Sequence, residues 1–109
     1  MTYKIPMFSF VETQLFSQLA PRYLSDEEIA QLQAESAGNP EVGVVIPGTG
    51  GVRKMRWGLR GRGKRGGVRI IYYVKPADGV IWLLTIYAKS QIENIKAEVL
   101  RRIKEEIDG

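Results

Sequence analysis

Residues 52–87 read VRKMRWGLRGRGKRGGVRIIYYVKPADGVIWLLTIY, and this stretch decides the fold. It holds three runs rich in Val, Ile, Tyr and Trp, bounded by Gly, Pro and Asp, the pattern of strands joined by turns. The first run, 52–59, splits by parity. Met55, Trp57 and Leu59 share a face with Arg53, whereas Lys54 and Arg56 share the other with Val52. Residues 58–67, GLRGRGKRGG, read as a glycine-rich basic loop. Residues 68–75 form the next strand, with Arg69, Ile71 and Tyr73 on one face, and residues 76–79, PADG, are a hairpin turn. Residues 80–87, VIWLLTIY, are nearly all apolar and are expected to be the central strand, covered on both faces. Simple alternation puts Thr85 and Tyr87 on one face with Ile81 and Leu83.

Outward from this core, residues 47–51, PGTGG, are a turn, and residues 42–46 a short apolar strand or loop. Ser25-Asp26-Glu27-Glu28 is a capping box, with Leu24 and Ile29 in the two positions of a hydrophobic staple. The helix it opens should stop at Gly38-Asn39-Pro40. Residues 12–20 carry Leu15, Phe16 and Leu19 at helical spacing, and Pro21 ends that helix. Residues 5–11 look like a first strand, which Pro6 assigns to a sheet edge. At the other end Ser90-Gln91-Ile92-Glu93 is a second capping box, opening a helix whose stripe is Ile92, Ile95, Val99, Ile103 and Ile107. This order predicts an α+β domain spanning 1–109, with helices packed on an antiparallel sheet.

Charge narrows the function. Residues 42–77 contain nine Lys or Arg and no Asp or Glu. That window carries +9; the remainder, seven cations against twelve acids, carries −5. A field this lopsided favours a polyanion, and nucleic acid is the commonest one. The competing reading is a solvated basic loop that helps solubility. No apolar run approaches the ~20 residues that span a bilayer, and the N-terminus lacks the pattern of a signal peptide. The chain has no cysteine and no histidine. It therefore has no disulfide, no thiolate, and neither the usual acid/base group nor the commonest metal ligand. A cytoplasmic location fits, and any catalysis must use Lys, Arg, Tyr, Asp or Glu.

If the three strand faces coincide, Lys54, Arg56, Arg69 and Tyr87 converge, although parity leaves the register open. Such a cluster suits phosphate, because the arginine fork holds phosphate oxygens through two hydrogen bonds and offsets charge growing in a transition state. A lysine crowded by cations gives up its proton more readily, which makes Lys54 a candidate base. Tyr87 can stack on a base or supply a proton. The plainer alternatives are an exposed strand face for Lys54 and Arg56 and a core-edge tyrosine for Tyr87. Arg60, Arg62, Lys64 and Arg65 are expected to contact nucleic-acid backbone rather than to catalyse, since a glycine-rich loop does not hold fixed geometry. Arg53 and Lys89 are assigned to RNA binding with them.

The strings YLSDEE at 23–28, NP at 39–40, GTGGVRKMR at 48–56, GRGKRGGVRIIYY at 61–73 and LLTIYAK at 83–89 together resemble the HigB-like branch of the RelE toxin superfamily. The resemblance spans about residues 8 to 95. It implies a RelE-like compact antiparallel sheet with two N-terminal helices and a C-terminal one. It further implies the toxin of a type II toxin–antitoxin module, an endoribonuclease cutting mRNA in the ribosomal decoding site. In that family the ribose 2′-hydroxyl attacks its own 3′-phosphate without a metal or other cofactor. The basic strand residues of the family match Lys54 and Arg56, its arginine matches Arg69, and the segment ending the central strand matches Tyr87 to Lys89. The implied partner is a small antitoxin of the helix-turn-helix, DNA-binding kind. Many relatives carry a histidine or tyrosine near the C-terminus. Here there is neither, so Lys54, Lys64 or Tyr87 must cover proton transfer. The rival reading is a non-catalytic RNA- or ribosome-binding module that inhibits by occupancy.

Overall fold

A computed structural model describes residues 8–58, 67–88 and 95–109. Residues 5–7, Leu59, the loop cations Arg60, Arg62, Lys64 and Arg65, Lys89, and the tetrapeptide 90–93 lie outside the described residues. The elements run β1 (Ser9–Glu12), α1 (Gln14–Leu19), α2 (Asp26–Gly38), β2 (Val44–Val45), β3 (Arg53–Trp57), β4 (Val68–Lys75), β5 (Val80–Ala88) and α3 (Ala97–Asp108). They form one five-stranded sheet in the order β1-β5-β4-β3-β2. Pairing is antiparallel from β2 through β5, but β1 joins β5 in parallel. The sheet is thus mixed, and its middle strand is β4; β5 is flanked on both sides, as its apolar run demands.

The helices divide between the two faces. Phe16 and Ala20 at α1 and Leu24 and Leu32 at α2 pack on Met55, Ile70, Tyr72, Leu83 and Ile86. On the other face Leu100 of α3 packs on Val52, Ile71 and Leu84, flanked by Ile103 and Ile107. Between α1 and α2 the chain makes a single 3-10 turn, Ala20–Arg22, around Pro21. The capping box forms: the Glu28 amide donates to Ser25 Oγ at 3.2 Å, and Glu28 Oε1 accepts from the Ser25 amide at 3.0 Å.

The PGTGG turn is structural. Thr49 is fully buried; its hydroxyl donates to the Ile46 carbonyl at 2.7 Å and accepts from the Val52 amide at 3.1 Å. Gly48, Gly50 and Gly51 have φ of +78°, +78° and +117°, which side chains rarely adopt. The turn lies against α3, where a Cβ on Gly48 would meet Ala97 and one on Gly50 would meet Lys104. The last helix starts later than expected. Lys96, at φ −63° and ψ 139°, is extended and precedes the first turn. Ile95 keeps its place in the hydrophobic cluster from outside the helix, so the apolar spacing overstates the helix at its N-terminal end.

Candidate active site

The ladder brings the expected residues together. Arg56 pairs with Arg69, and Arg69 with Tyr87, so the three stand in one row across β3, β4 and β5. The next row on the same face is Val44, Lys54, Ile71 and Thr85. Directly opposed residues put their Cβ atoms ~4.5–5.5 Å apart, within reach of one bound group. Val68 and Ile70, which flank Arg69, are fully buried in the core under α1 and α2, so the sheet fixes the direction of the Arg69 side chain.

The alternation expected along β5 does not hold, and this correction explains the row. Ile81 and Leu83 belong to the core under α1 and α2, while Tyr87 packs with the opposite cluster. The register shifts between Ile71 and Tyr72: Tyr72 pairs with Leu83, but Ile71 pairs with Thr85. Leu84 is the extra residue of a β-bulge, and it packs under α3. The bulge moves Tyr87 off the face of Ile81 and Leu83 and onto that of Arg69.

A hollow of about 430 Å³ opens beside the row, lined by Val42, Val44, Lys54, Met55, Arg56 and Arg69. It lies where β2 stops. β2 pairs only with Arg53 and Lys54, so the Arg56 segment of β3 has no strand on that side. Lys54 and Arg56 are exposed and Arg69 is half-buried. Among the described residues no carboxylate forms an ion pair with any of the three. The Arg69 guanidinium makes one long hydrogen bond, 3.5 Å, to the Val68 carbonyl. A larger hollow, about 560 Å³, lies at the far end of β4 beside Tyr73, Val74 and Pro76, and its charged lining is limited to Arg53 and Glu41. It lacks a cluster of cations, so the smaller one is the candidate site. Among the described residues no three Asp, Glu, His or Cys side chains gather to share a metal ion.

Arg53 stands apart. It pairs with Tyr72 and faces the α1/α2 side, where its guanidinium donates to the Gly43 carbonyl at 2.8 Å and to that of Glu41 at 3.4 Å. With Tyr72 it pins the loop between α2 and β2. The buried Tyr72 hydroxyl accepts from the Gly43 amide and donates to the Pro40 carbonyl, each at 2.8 Å. Burial pushes the Tyr72 phenol above its ordinary pKa. On the other face the next residue, Tyr73, donates to Asp108 at 3.0 Å. Asp108 also takes Lys104 at 2.9 Å and Lys75 at 3.7 Å, which latches the last turn of α3 to β4. Sequence reasoning missed Thr13. Its position before an apolar helical run marks it as an N-cap, but nothing local signals that its hydroxyl reaches the Leu84 carbonyl at 2.7 Å.

Among solved structures, a free-state variant of the E. coli toxin RelE with two arginines replaced by alanine superposes with a TM-score of 0.58, covering 90% of this chain and 97% of that one at 16% identity. The fold is that of RelE. The solution structure of the conserved hypothetical protein HP0894 from Helicobacter pylori also matches, at 18% identity over 78% of this chain and 98% of that one, with a TM-score of 0.33. No family model matches the sequence. At these identities the RelE likeness bears on architecture.

Proposed function

We propose that this protein is the toxin of a type II toxin–antitoxin module, of the HigB-like branch, and that it cuts mRNA on the ribosome. The observation that carries the reading is the Arg56–Arg69–Tyr87 row with Lys54 beside it, on a RelE-like sheet, its cations in no ion pair with a described carboxylate. Arg56 and Arg69 hold the two non-bridging oxygens of the scissile phosphate, and their charge stabilises the transition state. Lys54 takes the proton of the 2′-hydroxyl as its oxygen attacks phosphorus. The bond to the 5′-oxygen breaks, and that oxygen leaves with a proton from Tyr87 or solvent. The products are a 2′,3′-cyclic phosphate and a 5′-hydroxyl end. Tyr87 is also placed to stack on a neighbouring base. Arg60, Arg62, Lys64, Arg65 and Lys89 add backbone contacts. The ribosome supplies the strained mRNA geometry that brings the 2′-oxygen in line. The partner that restrains the protein is a small antitoxin with a helix-turn-helix DNA-binding part, as the sequence resemblance implies.

The test is cleavage of a short mRNA on programmed ribosomes by purified protein, with the end groups identified. Defined cuts with 5′-hydroxyl ends, and poor cutting of the same RNA free in solution, are expected. Ribosome binding without cuts would replace the reading with inhibition by occupancy. Equally fast cutting of naked RNA would remove the ribosome from it.

A further inference from the structure

We infer that Thr13 is a positioning residue for the site: it pins the β5 bulge that sets Tyr87, rather than Ile86, opposite Arg69. The inference rests on the cleavage reading above. Between the Tyr72–Leu83 pair and the Ile71–Thr85 pair β5 has one residue too many, Leu84. If the strand did not absorb it there, every later pair would slip by one. Arg69 would face Ile86, and Tyr87 would turn to the other side of the sheet. A bulge leaves backbone groups without ladder partners. Thr13 supplies one: its hydroxyl donates to the Leu84 carbonyl at 2.7 Å, while its amide donates to the Leu83 carbonyl at 3.0 Å and closes the β1–β5 ladder beside it.

Thr13 is itself held. It follows Glu12, whose pairing with Leu83 is the last of β1, and its hydroxyl accepts from the Phe16 amide at 3.0 Å as the N-cap of α1. One hydroxyl thus donates to the bulge and accepts from the helix. The neighbouring Thr85 hydroxyl gives the bulge no such bond: it is buried and finds no hydrogen-bond partner among the described residues. Fully buried Phe16 then fixes α1 on the core. Tyr87 is therefore aimed from the edge of the sheet, by a residue that follows β1 and stands outside the cation row.

Three variants separate the two uses of the hydroxyl. Thr13→Ser keeps donor and acceptor. Thr13→Asp keeps an excellent cap acceptor but, ionised, has no proton for the Leu84 carbonyl. Thr13→Val keeps neither. Single-turnover cleavage on programmed ribosomes, ribosome binding and the cross-strand NMR contact between Arg69 and Tyr87 are measured for each. Thr13→Asp and Thr13→Val should cleave at least about tenfold more slowly with binding within about twofold, and should weaken the NMR contact. Thr13→Ser should match the parent. Parental cleavage by Thr13→Asp would show that the hydroxyl serves only the cap and would overturn the inference. So would slow cleavage with the Arg69–Tyr87 contact intact, or Ile86 found opposite Arg69 in the parent. If the parent itself does not cleave, the proposed function fails, while loss of the NMR contact in Thr13→Asp still tests the geometry.

Discussion

Arg56 and Arg69 face each other across paired strands, and neither forms an ion pair with a described acid. Like charges in directly opposed positions destabilise a sheet. A protein built for stability alone would place a threonine or glutamate in one of them. Arg56→Thr should therefore raise stability by ~0.2–1 kcal/mol at low salt, with the gain shrinking as salt screens the pair. Denaturant unfolding at two ionic strengths checks this, and a loss of stability at low salt would show that the pair is not repulsive. Three residues earlier the same chemistry is put to another use, since Arg53 spends its guanidinium on backbone carbonyls of the 41–43 loop. That loop is held from inside by Tyr72. A Cβ on Gly43 would lie 2.7 Å from the Tyr72 hydroxyl and 2.9 Å from the Lys54 carbonyl, with no flexible chain end to yield. Gly43→Ala should cost about 2 kcal/mol, read as a lower denaturation midpoint at unchanged m-value. A neutral substitution would mean that the loop relaxes away from Tyr72.

Among the elements, α3 shows most clearly how a polar latch supplements packing. Asp108 gathers Lys104, Tyr73 and Lys75 at the end of the helix, and hydrogen bonding to Lys104 is the main cause of its lowered pKa. Donating to Asp78 raises Lys75, donating to Asp108 raises Lys104, and desolvation followed by donation to Asp108 raises Tyr73. A depressed acid contributes stability present above its unfolded pKa of ~4 and lost as pH falls through the folded value. The raised Lys and Tyr groups contribute stability present below their unfolded values of ~10 and lost as pH rises through the folded ones. Protection of the α3 amides from hydrogen exchange should thus hold between about pH 4 and 10 and weaken outside that window. Asp108→Asn should abolish the acid limb; an unchanged acid limb would show that the latch does not hold the helix. Much at this scale was legible in advance. The Ser25 capping box, the split faces of β3 and the face shared by Arg69, Ile71 and Tyr73 follow from spacing alone. The bulge did not, because every candidate for the extra residue in VIWLLTIY is apolar or β-branched and fits either core. Neither did the parallel pairing of β1, which depends on a contact 71 residues away in sequence.

At the scale of the whole molecule the charge and the fold agree. The acid-free window 42–77 supplies β2, β3 and β4, so Lys54, Arg56 and Arg69 come together on one face of the sheet. α3 packs on Val52, Ile71 and Leu84 and latches to Tyr73 and Lys75, leaving Lys54 and Arg56 exposed beyond it. Such a field draws a polyanion from a distance, but attraction alone does not cut it. The proposed catalysis requires charge held in fixed geometry, and Arg69 on β4, between Val68 and Ile70, is the cation whose direction the sheet fixes. The most direct test is therefore single-turnover cleavage on programmed ribosomes by the parent, Arg69→Ala and Arg69→Lys, with ribosome affinity and thermal unfolding measured alongside. Arg69→Ala should slow cleavage ~100-fold or more, corresponding to ~2.7 kcal/mol of transition-state stabilisation, with affinity little changed; Arg69→Lys should recover part of the rate. A folded Arg69→Ala variant that cleaves at the parental rate would contradict the account and move the active site off this face of the sheet.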